Sequence, residues 1–522
     1  MCAQRSCRHA PGAVAHRQPR RAALLPCLVM MISFAYLPLA LADLVPQILD
    51  CRKQEVKCEG NVVKEVYLSF SSFTGTLPAE WSEMTGLENL DLAYNEITGT
   101  LPAEWSTLTA VTFVNFFDND IAGTIPPEWS ALHNVQEIFL SFNSLVGGLP
   151  IEWSALSSLG YFEFRNNLLT GTVHPAWGVG LTALTYLNGF QNRLFGNLPR
   201  LWSELGALQE IDLRFNRLNG VLPKEWSAMT SVRRLLLGGN DVQGSAPAEW
   251  SALSRLEYLL LSEAKFSGPL PREWSAMESL EYLHMYNNKF SGNLPVEWSA
   301  LQKVQFLDLH NNRISGGLPV EWDAMVSLEE LSIHLNMLTS PLPSWSSLRR
   351  LTSLQAFSNA IEGPLPGQWA ALHNLKNIYI YDNSITGSLP ATWSVLSKVQ
   401  DIHLRGNRLE GTLPPPWSLM SSLTRLYLTS NNIEGPLPSQ WSRLSKVSFI
   451  DLRDNTLTGT LPGQWSLLKF SFLDVRGSDI CRTADVTWTC VCGLFGVYEC
   501  PPPPPPPPPP EPPTVVTRMD IV

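Results

Sequence analysis

"LENLDLAYNEITGTLPAEWSTL", residues 87–108, is one unit of a pattern that fills most of this 522-residue chain. It opens with alternating leucines, passes through Asn95, turns at Gly99 and Pro102, and reaches Trp105. The tryptophans give the period. Trp81, Trp105, Trp129, Trp153 and Trp177 stand 24 residues apart; Trp202 follows after 25, Trp226 to Trp322 resume 24, Trp345 comes after 23, and Trp369 to Trp465 return to 24. Seventeen of the 18 tryptophans share this register, and only Trp488 falls outside it. A parallel asparagine series runs from Asn95 to Asn455, with Ser71, Ala264 and Ser478 in the same register, so eighteen turns are visible. Self-similarity at a fixed period of this length is the signature of a solenoid.

Ahead of each asparagine the chain runs L-x-x-L-x-L-x-x-N, as in "LENLDLAYN" (87–95) and "VQFLDLHNN" (304–312), which is the consensus of a leucine-rich repeat. The expected fold is therefore a leucine-rich-repeat solenoid over about residues 66–480. It is an α/β-type horseshoe or arc of about 18 turns, with short parallel strands on the concave side and short helical or irregular segments on the convex side. In the x-L-x-L-x stretch the leucines point inward and the intervening residues face out along the concave surface. A buried asparagine at the turn is expected to bond backbone groups of neighbouring coils. The "T-G-x-L-P" step supplies a glycine for the bend and a proline that opens the next segment.

Two readings of the tryptophans compete: an aromatic ligand-binding row, or internal packing. A coil cannot bury its own apolar face, so stacked neighbours must complete it. A ligand-binding row would drift more in register, and packing is the reading adopted. Burying an indole contributes roughly 3 kcal/mol provided its N–H finds an acceptor. Function is then sought on the exposed strand positions.

The "G-x-(I/L)-P" step resembles the plant-type repeat, but Trp stands where that class carries Leu. "GTIPPEWSAL" and "GTLPGQWSLL" are similar to the repeats of the promastigote surface antigen family of kinetoplastid parasites. The resemblance implies an extracellular, externally displayed, non-enzymatic protein concerned with host contact. "SAPAEW", "VHPAW", "SPLPSW" and Ala264 depart from the pattern.

The termini fit an extracellular address. Residues 1–21 carry Arg5, Arg8, Arg17, Arg20 and Arg21 and no acid; an apolar stretch follows, and "ALA" at 40–42 fits a cleavage site, so 1–42 is read as a signal peptide. An uncleaved anchor is the alternative. Cys51 and Cys58 lie before the repeats, and Cys481, Cys490, Cys492 and Cys500 after them. Six cysteines at the two ends point to disulfide-stapled caps over 43–65 and 481–500. Zinc binding by the last four is the competing reading. Pro501 to Pro510 open a tail, 501–522, of polyproline II character, without a hydrophobic anchor signal.

Removing the leader's five arginines takes the formal charge from −10 to −15, which does not suit nucleic acid or an anionic membrane. The carboxylate column from Glu80 to Glu321 is read as a solvated convex edge rather than a calcium site. No hydrolase, metalloprotease, kinase or phosphate-loop motif occurs, so neither catalysis nor a cofactor nor a metal is expected.

By register, Tyr258, Tyr282 and Phe306 share one concave column, His284 stands with Asp308 in the next, and Tyr286, His310 and His334 occupy a third. Tyr379, Tyr381, His403 and Tyr427 form a second aromatic group. These residues are the candidate ligand-binding surface for a protein or glycan, although cross-coil packing explains aromatic columns too. The expected function is an extracellular recognition scaffold in parasite–host contact. The alternatives are a secreted inhibitor of a hydrolase or a receptor-type ectodomain.

Overall fold

The computed structural model describes residues 55–482 and 494–500. The leader, Cys51, Trp488, Cys490, Cys492 and the proline-rich tail lie outside the described residues. Each repeat begins with a three-residue strand, such as Asn89–Asp91, Phe113–Asn115 and Glu137–Phe139. These strands lie side by side in parallel, Asn89 opposite Phe113 and Phe113 opposite Glu137. Among the described residues they build one 20-stranded sheet. Its first pairing, Val56–Glu59 with Val62–Tyr67, is antiparallel and forms the N-terminal hairpin. At the other end Leu494–Phe495 pairs with Phe472–Asp474. The chain is a leucine-rich-repeat solenoid.

The flank differs from the sequence reading, which saw only a bend at "T-G-x-L-P". There the chain forms a second row of short parallel strands: Thr74–Thr76 pairs with Glu96–Thr98, and five coils from Gln243–Gly244 to Met337–Leu338 join in one small sheet. No alternating pattern announces it, because the segment is short and its glycine has no side chain to alternate. The glycine still has a purpose. Gly99 has φ of 80°, and a Cβ there would stand 2.7 Å from Thr76 Cγ2 of the coil before.

On the convex side the proline, extended at φ −71° in Pro102, leads into a five-residue 3-10 turn, Ala103–Thr107, which closes when Leu108 N–H donates to the Trp105 carbonyl. The irregular units behave individually. "VHPAW" gives a turn of α-helix, Ala176–Gly180, "SAPAEW" keeps its 3-10 turn, Ala248–Ala252, and Trp345 stands outside any helical turn.

All seventeen tryptophans in register are buried. From Trp105 onward each indole N–H donates to a carbonyl one coil back, as Trp105 does to Pro78 at 2.9 Å and Trp298 to Pro271 at 2.9 Å. Trp81, in the first coil, has no such partner. Eleven neighbouring pairs of indoles lie nearly parallel at centroid distances between 5.9 and 6.5 Å, an offset stack. The asparagines do what a buried amide must. Asn312 Nδ2 donates to the carbonyls of Met285 (3.0 Å) and Leu309 (3.0 Å), and its Oδ1 accepts from Phe290 N–H (3.0 Å). Ala264 has no side-chain group for these bonds.

At the C-terminal end Cys481 and Cys500 form a disulfide, and Cys58 is disulfide-bonded at the other end. The pairing of Cys481 with Cys500 overturns the four-cysteine zinc reading, because a sulfur in a disulfide is no longer a thiolate ligand.

Candidate ligand-binding face

The inner strands place the candidate residues as their register requires. Tyr258, Tyr282 and Phe306 face one another across three strands and stack at 4.3 and 4.8 Å. His284 lies opposite Asp308 and is tilted against Tyr286. Tyr286, His310 and His334 stack face to face at 4.7 and 4.3 Å.

The stack does not stop there, and this changes the picture of two separate groups. His334 stacks on Phe357 at 4.0 Å, Phe357 on Tyr381 at 4.3 Å and Tyr381 on His403 at 4.1 Å. It continues through Tyr427 (4.5 Å), Phe449 (4.6 Å) and Phe472 (4.3 Å). One ladder of nine rings therefore crosses the inner face diagonally. It starts two residues before the asparagines (Tyr286 to Tyr381), moves to four before (His403, Tyr427) and ends six before that register position (Phe449, Phe472).

Sequence reasoning missed Phe357, Phe449 and Phe472. A fixed step of 24 from His334 lands on Ser358, so the 23-residue step between Trp322 and Trp345 hides Phe357 unless each column is counted within its own repeat. Counted back from Asn359, it aligns with His334 before Asn336. The diagonal shift of the later rings has no local sequence signal, because it depends on which side chain leans across to the next column.

Tyr379 stands outside the ladder, edge-on to His403 at 90°. Its hydroxyl donates to Asp401 Oδ2 at 3.3 Å, and burial followed by the Asp401 charge pushes its pKa up to about 12. Asp401 is buried and takes a two-pronged ion pair from Arg425, whose Nε lies 2.5 Å from Oδ1. Together with Gln355, Phe357, Tyr381, His403 and Tyr427 these residues line a depression of about 460 Å³.

Burial is the main reason that His334 and His403 are held down to about 4, and it lowers His284 as well. His334 Nδ1 and His403 Nε2 are buried without a hydrogen-bond partner. Titration of these rings thus lies below the pH 5–7 window expected of free histidine. Nor do His310 and His334 converge on a metal. Their planes are parallel to within 7°, so their in-plane lone pairs point side by side, and His310 Nδ1 is already 2.6 Å from Asp308. Among the described residues no cluster of three metal-ligating side chains occurs.

A second recurring device was not anticipated. Buried carboxylates on the inner strands are held by an arginine two residues on: Asp212 by Arg214, Asp451 by Arg453 and Asp474 by Arg476, at 2.6 to 2.7 Å. Glu163 is held in the same way by Arg165. A buried charge requires this pairing.

The residue before the asparagine has a left-handed backbone in nearly every coil, with φ near 55°. Gly239 and Gly406 take that conformation freely, whereas Phe70, Tyr94, Phe142, Phe215 and Leu335 take it at a cost of roughly 1–2 kcal/mol each.

A larger hollow of about 530 Å³ lies on the flank, beside Arg200, Lys224, Glu225 and Ser245. It sits at the irregular unit where Ser245 and Ala246 replace the usual threonine and leucine, and its Arg200 and Glu225 face each other at 3.8 Å. We assign it to that shortened packing rather than to the inner-face site.

The Leucine Rich Repeat family model matches residues 86–108, 207–229, 279–301, 303–325 and 422–444. A plant peptide hormone receptor, RGFR1 in complex with RGF2, is similar over 83% of this chain and 76% of that chain, with 25% identity and a TM-score of 0.75. The Arabidopsis receptor kinase HAESA, in complex with the peptide hormone IDA and the co-receptor SERK1, is similar over 85% of this chain and 82% of that one, with 23% identity and a TM-score of 0.67. A leucine-rich-repeat protein of Leptospira interrogans is 27% identical, over 84% of this chain and 93% of that chain, with a TM-score of 0.53. Comparison with curated proteins returns no match. No catalytic family is indicated, and among the described residues no helix is long and apolar enough to cross a membrane.

Proposed function

We propose that the chain is an extracellular, non-enzymatic recognition scaffold whose inner face binds an extended segment of a protein ligand along the aromatic ladder from Tyr286 to Phe472. The observation that carries this reading is how the rings stack. At about 4–4.7 Å each ring covers its neighbour's face. A ligand therefore meets ring edges, tyrosine hydroxyls and imidazole nitrogens. A sugar ring stacking on an open aromatic face finds little of that kind here, whereas an extended peptide finds one ring edge per coil, polar at the tyrosines and histidines and apolar at Phe357, Phe449 and Phe472. Eight steps at about 4.5 Å span roughly 36 Å, room for an extended peptide of about ten residues. The depression at Asp401 and Arg425 then takes one larger side chain of the ligand.

Two neighbours in solved structures, RGFR1 and PEPR1, are held in complexes with RGF2 and AtPEP1, which supports the use of such a scaffold for peptide recognition. The tryptophan-bearing repeats resemble the kinetoplastid surface antigens, and on that ground the ligand is a host surface protein, with display following cleavage of residues 1–42. The cysteine-capped ends, including Cys51, Cys490 and Cys492, serve stability outside the cell.

The test is capture from a panel of host surface proteins by the secreted chain, followed by Tyr381→Ser with His403→Ser. Central aromatic anchors commonly contribute about 2 kcal/mol each, so affinity falls at least tenfold while thermal unfolding stays within a few degrees. Normal binding by this variant, with loss on changes at Glu297 and Glu321 of the convex side, refutes the inner-face reading.

A further inference from the structure

The N-terminal coils carry a separate aromatic surface that the ladder does not reach. Phe70 and Tyr94 stack at 4.2 Å on the rim of the inner face, followed by Phe117 and Phe142 at 5.1 Å each. Phe70 is 74% exposed and Tyr94 42%. Phe70, Tyr94 and Phe142 all adopt the left-handed backbone, at a position where Phe215 is the one aromatic residue among the later coils and most of the others carry polar residues or glycine. Rings so placed are neither buried nor conformationally favoured, so packing does not account for them.

The surroundings say what they fit. The Arg165 guanidinium lies over Phe142 at 5.1 Å and over Phe117 at 5.6 Å, and the Lys57 ammonium over Tyr67 at 5.3 Å, so the N-terminal rings already hold two of the chain's own cations on their faces. Among the described residues no cation lies over the exposed Phe70–Tyr94 end. Asp118 occupies the rim position between Tyr94 and Phe142, and Glu96 and Asp120 stand exposed one residue beyond their asparagines; none of the three is in an ion pair among the described residues. Rings and unpaired carboxylates side by side are complementary to a cationic side chain, not to an anionic or purely apolar one.

We propose that the rim at Phe70, Tyr94, Asp118 and Glu96 is a second docking surface, taking a lysine- or arginine-bearing segment of a partner protein independently of the ladder.

Fluorescence anisotropy of labelled nona-arginine and nona-glutamate with the full secreted chain tests this. Nona-arginine binds and nona-glutamate does not. Phe70→Ser with Tyr94→Ser weakens nona-arginine at least about tenfold, as expected for two desolvated cation–ring contacts. Asp118→Asn with Glu96→Gln weakens it and flattens its salt dependence, while Tyr381→Ser with His403→Ser leaves it unchanged. Equal binding by the Phe70/Tyr94 variant, or an equal loss on Glu297→Gln with Glu321→Gln at the convex edge, overturns the proposal, because the attraction is then only the chain's overall negative charge. Tyr94→Asn serves as the control for folding. Asparagine suits the left-handed backbone, so the melting temperature holds or rises; a fall of more than about 3 °C shows the ring to be structural and also overturns the proposal.

Discussion

Replacing Trp298 by alanine tests whether the tryptophan column is packing, and its size can be worked from the structure. The indole is buried, donates to the Pro271 carbonyl at 2.9 Å and stacks on Trp322 at 6.3 Å. Truncating a buried tryptophan costs about 3–5 kcal/mol, including the cavity left behind, and the orphaned Pro271 carbonyl adds about 1 kcal/mol. A 24-residue coil holds only about 1–4 kcal/mol of net stability at the usual share per residue. The loss therefore exceeds what one coil can absorb, and the array should open locally around residues 271–322 instead of merely softening. Trp298→Leu fills much of the space without the hydrogen bond, so it should recover about half of the loss. Hydrogen exchange read by mass spectrometry is the assay, with faster exchange centred on this coil and near-normal protection at both ends. If amides of 271–322 stay as protected as in the parent and only ligand binding is lost, the column belongs to recognition and the packing argument fails.

Two further perturbations follow. Reducing Cys481–Cys500, which closes a loop of 19 residues, removes roughly 3 kcal/mol and should fray the last coils, from Phe472 onward, before the middle ones; exchange starting in the central coils contradicts this. Acidification should destabilise the fold. His334 and His403 are held near 4 against an ordinary value of 6.5, so between those two pH values the unfolded chain binds protons that the folded rings refuse, and stability falls as pH drops through the window and is level above it. The full shift would be about 3 kcal/mol per ring, and partial exposure reduces that to about 1. Urea midpoints at pH 7 and pH 4.5, compared with a His334→Phe, His403→Phe variant, measure it; an unchanged slope in the variant refutes the assignment.

How much of this was legible beforehand differs from element to element. The inner strands, the asparagine ladder and the inward tryptophans follow from periodicity, because each is set by one coil's contacts with an identical neighbour. Register alone also puts Tyr282 against Phe306 and His310 against His334. The flank strands escaped, because Gly99 and its equivalents break the alternation by which a strand is recognised. The continuity of the ladder escaped for another reason. Phe357 sits after a deleted residue, and the passage from Tyr381 to His403 joins different columns, a matter of how side chains lean across a surface. The buried pairs Asp451–Arg453 and Asp474–Arg476 look like ordinary surface charges until burial is known.

The directional bond from each tryptophan to the coil before it also bears on how such a gene can change length. Every coil presents the same acceptor forward and the same donor backward, so duplicating or deleting a unit of 24 codons rejoins like with like and leaves the spine intact. The diagonal ladder has no such indifference. An extra coil between Tyr286 and Phe472 would interrupt the rings in mid-course and carry the later ones out of reach. Gain or loss of whole units should therefore be tolerated between the N-terminal rim and coil ten, while the stretch from there to the C-terminal cap should keep its number of units.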